Sequence, residues 1–281
     1  MELPAKQPAS TRALALPEII TSIMHQMDMR TLITAQRVCQ TWNNLIKSSR
    51  SLQQALFFLP DDTLDPTKPR IYNNLLAEIF PSFFPHITST STEQTTLTSI
   101  TFVSNHKPLK KYLQPEASWR QMLTTNPPIR TIGHLSYATG MMGLTWTQQK
   151  ALPQKHGLRM GTLFEMLISL DRYDWNNSSI WISFGGERPV NAPSELFQTG
   201  YSLNADRINE DWQLMLHEMD FVLVSGGNTD CTDPTEVDDP EWVKSDDEVV
   251  WEGVVACYEE LGVKMSGLPM ETYNEGWAMW E

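Results

Sequence analysis

Between Leu16 and Ile46 the chain reads LPEIITSIMHQMDMRTLITAQRVCQTWNNLI. This segment carries more apolar side chains than three short helices can shelter. Pro17 stands at a helix start, where a missing N–H costs nothing and the fixed φ is already helical. Glu18 falls in the first turn, where negative charge suits the helix dipole. Ile19, Ile20, Ile23, Met24 and Met27 then recur at helical spacing. Asp28-Met29-Arg30-Thr31 interrupts that pattern, and Asp28 or Thr31 supplies a cap for a second helix. Leu32, Ile33, Ala35, Val38 and Cys39 continue it, followed by Trp42, Leu45 and Ile46. A unit of this size sits near the lower limit for independent folding. Its large apolar side chains are each worth roughly 1.5–3 kcal/mol if fully buried, although chain ordering offsets most of that gain. Either the rest of the chain covers the surplus or a second polypeptide does.

The residue types narrow that choice. Leu16-Pro17-Glu18-Ile19-Ile20, Ile23-Met24, Leu32 and Val38-Cys39-x-x-Trp42-x-x-Leu45-Ile46 resemble an F-box. That pattern runs Leu-Pro with a Glu close behind, two aliphatics, a mid-motif Leu and a closing V-C-x-x-W-x-x-L-I. The resemblance covers about 45 residues, one-sixth of the chain. It implies a three-helix module that docks on a Skp-family adaptor and, through it, on a cullin–RING ubiquitin ligase. By the same resemblance Leu16, Pro17, Ile20, Ile23, Met24, Leu32, Val38, Cys39, Trp42, Leu45 and Ile46 are the candidates for core or adaptor contact. Spacing does not divide those two roles. Trp42 is the expected hot spot, because buried aromatics dominate such interfaces. Met27 and Met29 stand where many members carry Leu, which keeps bulk while loosening rotamer definition. Downstream, Ala117-Ser118-Trp119-Arg120-Gln121-Met122-Leu123 with Pro127-Pro128 resembles a phrase of filamentous-fungal F-box proteins. No chemistry attaches to it, and a helix anchoring Trp119 and Met122 in a core explains it.

Charge and cysteine usage bound the rest. The net charge of −13 is uneven. Residues 1–60 carry six Lys/Arg against three Asp/Glu, residues 61–220 thirteen against sixteen, and residues 221–281 two against fifteen. Such a field argues against nonspecific nucleic-acid binding. The longest apolar stretches are too short and interrupted to span a bilayer, and no apolar h-region follows Lys6 and Arg12. Three distant cysteines (Cys39, Cys231 and Cys257) favour a reducing compartment, cytosol or nucleus, over a disulfide or zinc scaffold.

Along the chain, residues 1–11 read as a mobile arm and 12–59 as the F-box-like unit, with Leu52–Leu59 extending its last helix. Residues 60–70 form a proline-broken connector, where the domain boundary is placed. Residues 71–281 follow as an α+β substrate-recognition domain without repeats. Ile71–Phe84 predicts a short helix halted by Pro81 and Pro85. His86–Thr96 reads as a loop, Leu97–Val103 as a strand, and 117–123 as a helix. Gly161–Leu170 fits either helix or buried strand. Ser179–Phe184 and Phe221–Ser225 predict strands, each ending at a glycine pair, and Val249–Leu261 predicts an amphipathic helix with Val250, Val254, Cys257 and Leu261 on one side.

Catalytic patterns are weak. The histidines (His25, His86, His106, His134, His156, His217) show no paired metal-ligand spacing, and structural or surface roles fit them. Gly185-Gly186 and Gly226-Gly227 suit tight turns, as no phosphate-loop lysine accompanies them. No GxSxG elbow occurs. The acidic stretch 230–248 reads as a solvated loop, with capture of a basic partner as the alternative. Trp277, Met279 and Trp280 suit either a docked tail or an exposed anchor. The expectation is therefore a non-catalytic substrate receptor of a Skp–cullin–F-box ligase. It needs no cofactor or metal and binds the adaptor, an unknown protein target, no nucleic acid and no membrane. The alternatives are an adaptor-bound scaffold without a ligase role, or an α+β enzyme capped by helices.

Overall fold

The helix start expected at Pro17 is present in the computed structural model. It describes residues 16–65, 68–84, 100–104, 109–139, 145–171, 179–184, 214–215, 217–228 and 246–264. Helix α1 (Pro17–Met24) opens with Pro17 in its first turn, and the Ile20 N–H reaches the Leu16 carbonyl at 3.1 Å. Helix α2 (Met29–Ala35) is capped by Asp28, which accepts from the Thr31 N–H at 2.9 Å and from its hydroxyl at 2.7 Å. Those bonds from Thr31 hold the Asp28 carboxyl below the usual carboxylate range. Helix α3 spans Gln40–Ser48.

The expected continuation of the last helix into Leu52–Leu59 is corrected. Ser49 adopts an extended backbone (φ −85°, ψ 111°) and caps a separate helix α4 (Arg50–Ala55) by accepting from the Leu52 N–H at 3.5 Å. Ile20, Met24, Leu32, Ala35, Ile46, Leu52 and Leu56 form a small core inside these four helices.

After α4 the backbone turns through Phe57, a non-glycine residue with φ +59°. The Phe57 and Phe58 amides bond back to Gln54 and Gln53 carbonyls at 2.9 Å each, closing the helix end. This reversal sends Phe57 into the main core while Leu56 stays in the small one. Met29, Ile33 and Phe58 pack against both cores. The connector is tied on each side: Gln54 Nε2 donates to the Pro60 carbonyl at 3.0 Å, and the Asp61 amide to Asn126 Oδ1 at 3.3 Å. The N-terminal unit and the body thus share a packed seam.

In the body, β1 (Ile71–Tyr72) pairs antiparallel with β2 (Thr125–Asn126), so the expected helix starts later than Ile71. Helix α5 (Asn74–Ile79) begins at buried Asn73, whose Oδ1 accepts from the Leu76 N–H at 3.1 Å. A 3-10 turn, Pro81–Phe83, ends it. The expected strand over Leu97–Val103 is overturned within the described part, where Thr101–Ser104 is the helical turn α6. Phe102 and Val103 are both buried, so consecutive side chains face the core rather than alternating. Helix α7 is Leu109–Tyr112. Helix α8 (Ser118–Gln121) is shorter than expected, because Met122 is already extended and leads into β2. Trp119 and Met122 are buried, as their apolar character required.

The main sheet has strand order β4-β3-β6-β5, from β3 (Thr131–Thr139), β4 (Thr145–Pro153), β5 (Ser179–Phe184) and β6 (Phe221–Asn228). The β3–β6 pair is parallel and the outer pairs are antiparallel. Gly226 and Gly227 do not form the expected turn. They continue the central strand, opposite Tyr137 and Ala138 of β3. Gly157 is required where it stands: its φ is +82°, and a Cβ would sit 2.6 Å from Pro128 Cβ. Gly161–Leu170 resolves as helix, within α9 (Met160–Asp171). Helix α10 (Asp246–Glu260) buries Val250, Val254 and Cys257, and Leu261 just past its end is half-buried, the face the spacing predicts.

Aromatic rings bind the body together. Phe80 meets Phe83, Phe102, Trp119 and Phe164 at centroid distances of 5.1–6.3 Å, edge-on or tilted. Beside them a buried polar cluster joins three helices. Arg120 of α8 pairs with Glu165 of α9 and donates to the Tyr258 hydroxyl of α10. Its guanidinium also lies 5.3 Å from the Tyr258 ring centroid. Burial pushes the Tyr258 phenol up to about 12, against the opposing pull of the Arg120 hydrogen bond. A folded pKa above the unfolded one gives stability that is complete below pH ~10 and lost as pH rises toward 12. Urea unfolding at pH 9 and pH 11 should therefore show a larger loss for the native chain than for Tyr258→Phe. Equal losses would mean that the phenol ionises freely in the fold.

Candidate protein-docking surface

The apolar arc of α1 is wider than the core beneath it. Ile20 and Met24, one helical turn apart, point inward and are 4% and 0% exposed. Leu16, Ile19 and Ile23 follow i, i+3, i+7 spacing on the adjoining outer stripe and are 50%, 38% and 40% exposed. Past α2, the turn that leads into α3 places Val38 at 62% exposure with the free thiol of Cys39 beside it. Pro17 is also exposed. These side chains lie on α1 and on the turn before α3, over a filled core, so the surface is preformed.

The eleven candidates therefore separate into three groups. Ile20, Met24, Leu32 and Ile46 belong to the unit's own core, the first of the two roles, core or adaptor contact, that the resemblance left open for them. Trp42 and Leu45 are half-buried against that core, so the hot spot expected of Trp42 is shared between fold and surface. Leu16, Pro17, Ile23, Val38 and Cys39 are exposed. Ile19 completes the outer stripe and was missing from the candidates, although its position three residues after Leu16 and four before Ile23 was the signal for it. Polar bonds steady the module from outside, with Ser51 Oγ lying 2.9 Å from His25 Nε2 between α4 and α1. Arg30 of α2 pairs with Glu78 of α5 across the seam.

Other sequence candidates fare differently. His134 is buried and meets Ser225 Oγ at 3.0 Å across the β3–β6 pair, a satisfied core histidine. Among the described residues no three His, Cys, Asp or Glu side chains gather as metal ligands, and no helix is long and apolar enough to cross a membrane. The arm 1–11, the loop 86–96, Gly185-Gly186, the acidic stretch 230–245 and Trp277, Met279 and Trp280 lie outside the described residues.

The F-box domain family matches residues 14–54. That span contains α1 to α3 and most of α4, and with them every exposed apolar side chain of the surface just described. Searches among curated proteins and among solved structures return no match. F-box domains bind Skp-family adaptors in cullin–RING ligases, and proteins that carry them are typically non-catalytic subunits of those complexes. Residues 14–54 are an F-box domain followed by a mixed helix-and-sheet body, and the chain is an F-box protein.

Proposed function

We propose that this chain is a substrate-receptor subunit of a Skp–cullin–F-box ubiquitin ligase, with Leu16, Pro17, Ile19, Ile23, Val38 and Cys39 seated on the adaptor and the body from residue 71 onward holding a protein target. The observation that carries this reading is the uncovered stripe itself. The folded module leaves Leu16, Ile19, Ile23 and Val38 between 38% and 62% exposed, although the body packs against it through Met29, Ile33 and Phe58. Clustered exposed aliphatics on a rigid support mark a protein-binding patch. The mechanism asks for no covalent step by this chain. A target held beside a ubiquitin-charged enzyme reacts at a raised effective concentration. The packed seam suits that task, because residues shared by both cores join the body to the F-box. A reducing compartment, cytosol or nucleus, fits the exposed Cys39 thiol.

Co-purification tests the assembly. The full chain should bring down a Skp-family adaptor together with cullin. Adaptor without cullin would leave a scaffold in place of a receptor, and neither protein would remove the proposal.

A further inference from the structure

Where the F-box meets the body, a cleft of about 390 Å³ opens between the two. Gln53 and Phe58 line it from the F-box side, and Arg120, Arg159, Thr162 and Glu165 from the body. Its charges do not balance. Glu165 is already paired with Arg120. Arg159 has no carboxylate partner among the described residues and donates instead to the backbone carbonyls of Gln121 and Phe58. Both contacts leave its positive charge in place, and burial draws its pKa down.

The position of Arg159 sharpens the imbalance. It immediately precedes α9, a helix of 12 residues, so the cation sits at the positive end of a helix dipole, where a basic residue is unfavourable. The amides of Gly161 and Thr162, in the first turn of α9 and on the cleft wall, have no acceptor among the described residues. Gly161 lets the helix start close on Arg120, since a Cβ there would lie 2.9 Å from the Arg120 carbonyl oxygen. Two guanidiniums, two free amides and a helix N-terminus therefore converge on one cavity, against a single carboxylate. The whole chain carries −13, so this local excess is not a reflection of its general charge.

We infer that the cleft is a binding site for a doubly charged oxyanion of the phosphate class, either free or carried as a small ester. Such an anion meets Arg159 and the α9 amides at once and supplies the charge that the cavity lacks. Because F-box and body both line the cleft, occupancy also stiffens the seam between them. The inference does not rest on adaptor docking and is tested without the adaptor.

The test is thermal unfolding of the full chain in inorganic phosphate and in phenyl phosphate, each against sodium chloride at equal ionic strength. The expected result is a saturable rise in Tm of about 2–4 °C over the chloride control. A stronger response to the ester than to the free ion assigns the site to an ester, and the reverse order to the free anion. Thr162→Glu places a carboxylate at the α9 start. It should raise Tm without ligand and abolish the phosphate response. Arg159→Gln should weaken phosphate binding at least about tenfold. Arg159 also bonds across the seam, so Thr162→Glu is the variant that keeps the test decisive should Arg159→Gln fold poorly. No rise above chloride in the native chain, or an undiminished rise in Thr162→Glu, overturns the inference.

Discussion

Ile23→Asp and Val38→Asp each abolish capture of a Skp-family adaptor while the chain stays folded. Both side chains stand on the solvent side of the F-box, 40% and 62% exposed, and neither belongs to its core. A carboxylate there meets water in the free chain, so Val38→Asp should move stability by no more than about 0.5 kcal/mol, and Ile23→Asp, in the last turn of α1 where negative charge opposes the dipole, by about 1–2 kcal/mol. Against an adaptor the same carboxylate must be desolvated beside aliphatic carbon, at a cost of several kcal/mol. That converts to a loss of at least about a hundredfold in affinity. Truncating the half-exposed leucine and the adjoining proline, in Leu16→Ala with Pro17→Ala, removes contact area without adding charge and should weaken capture less. Ile20→Ala and Met24→Ala behave differently. They open cavities in a very small core, cost about 2–5 kcal/mol, and lose capture only through unfolding. Circular-dichroism melts beside the pull-downs separate the two classes. Retention of full capture by both aspartate variants would remove the outer stripe from the interface and, with it, the basis for the proposed receptor role.

The difference between those two classes was not legible before the fold was known. Residue types and order placed the F-box, its Pro17 start and its Asp28 cap, because each depends on a local rule about an orphan amide or an apolar stripe. Which member of Ile19-Ile20 or Ile23-Met24 faces outward depends on where α3 and α4 lie, and that is tertiary information. The same limit explains the body. The strands β5 and β6 read correctly from β-branched and aromatic runs. Thr131–Thr139 and Thr145–Pro153 passed unnoticed, since their mixed polar and apolar residues give no clean alternation. Gly226-Gly227 looked like punctuation, yet the ladder on both sides of β6 overrides the local preference of glycine for turns. Leu97–Val103 failed through the converse error, where a suggestive pattern of residue types met a segment in which neighbouring side chains are both buried. Nothing in the spacing foretold that Arg120 and Arg159 would share a cavity, because they come together only through the packing of α8 against α9 and of the F-box against both.

The largest expected effect on stability comes from the cluster under that cavity. Arg120→Met should destabilise the chain by about 3–5 kcal/mol, a fall in Tm of roughly 5–8 °C. The side chains of Arg120 and Glu165 are only 10% and 4% exposed, so removing the cation leaves a largely buried carboxylate without its Arg120 partner. The Tyr258 hydroxyl also loses its donor. Glu165→Leu should be costly for the mirror reason, as it leaves the guanidinium buried between the Trp119 and Tyr258 rings, 5.5 and 5.3 Å from their centroids, without its anion. The double variant, Arg120→Met with Glu165→Leu, should recover most of either loss, because two apolar side chains of similar volume need no compensation. Urea unfolding of the four proteins gives the coupling free energy directly, and strongly non-additive losses are expected. Additive losses would show that the pair is screened by solvent and that α8, α9 and α10 are held by apolar packing alone. Adaptor capture supplies a second readout. Below its own Tm, Arg120→Met should still bind adaptor, because Ile20, Met24, Leu32 and Ile46 form a core to which Arg120 does not belong. Capture lost in step with the body would instead mean that Met29, Ile33 and Phe58, which touch both cores, make the F-box dependent on the body for its fold.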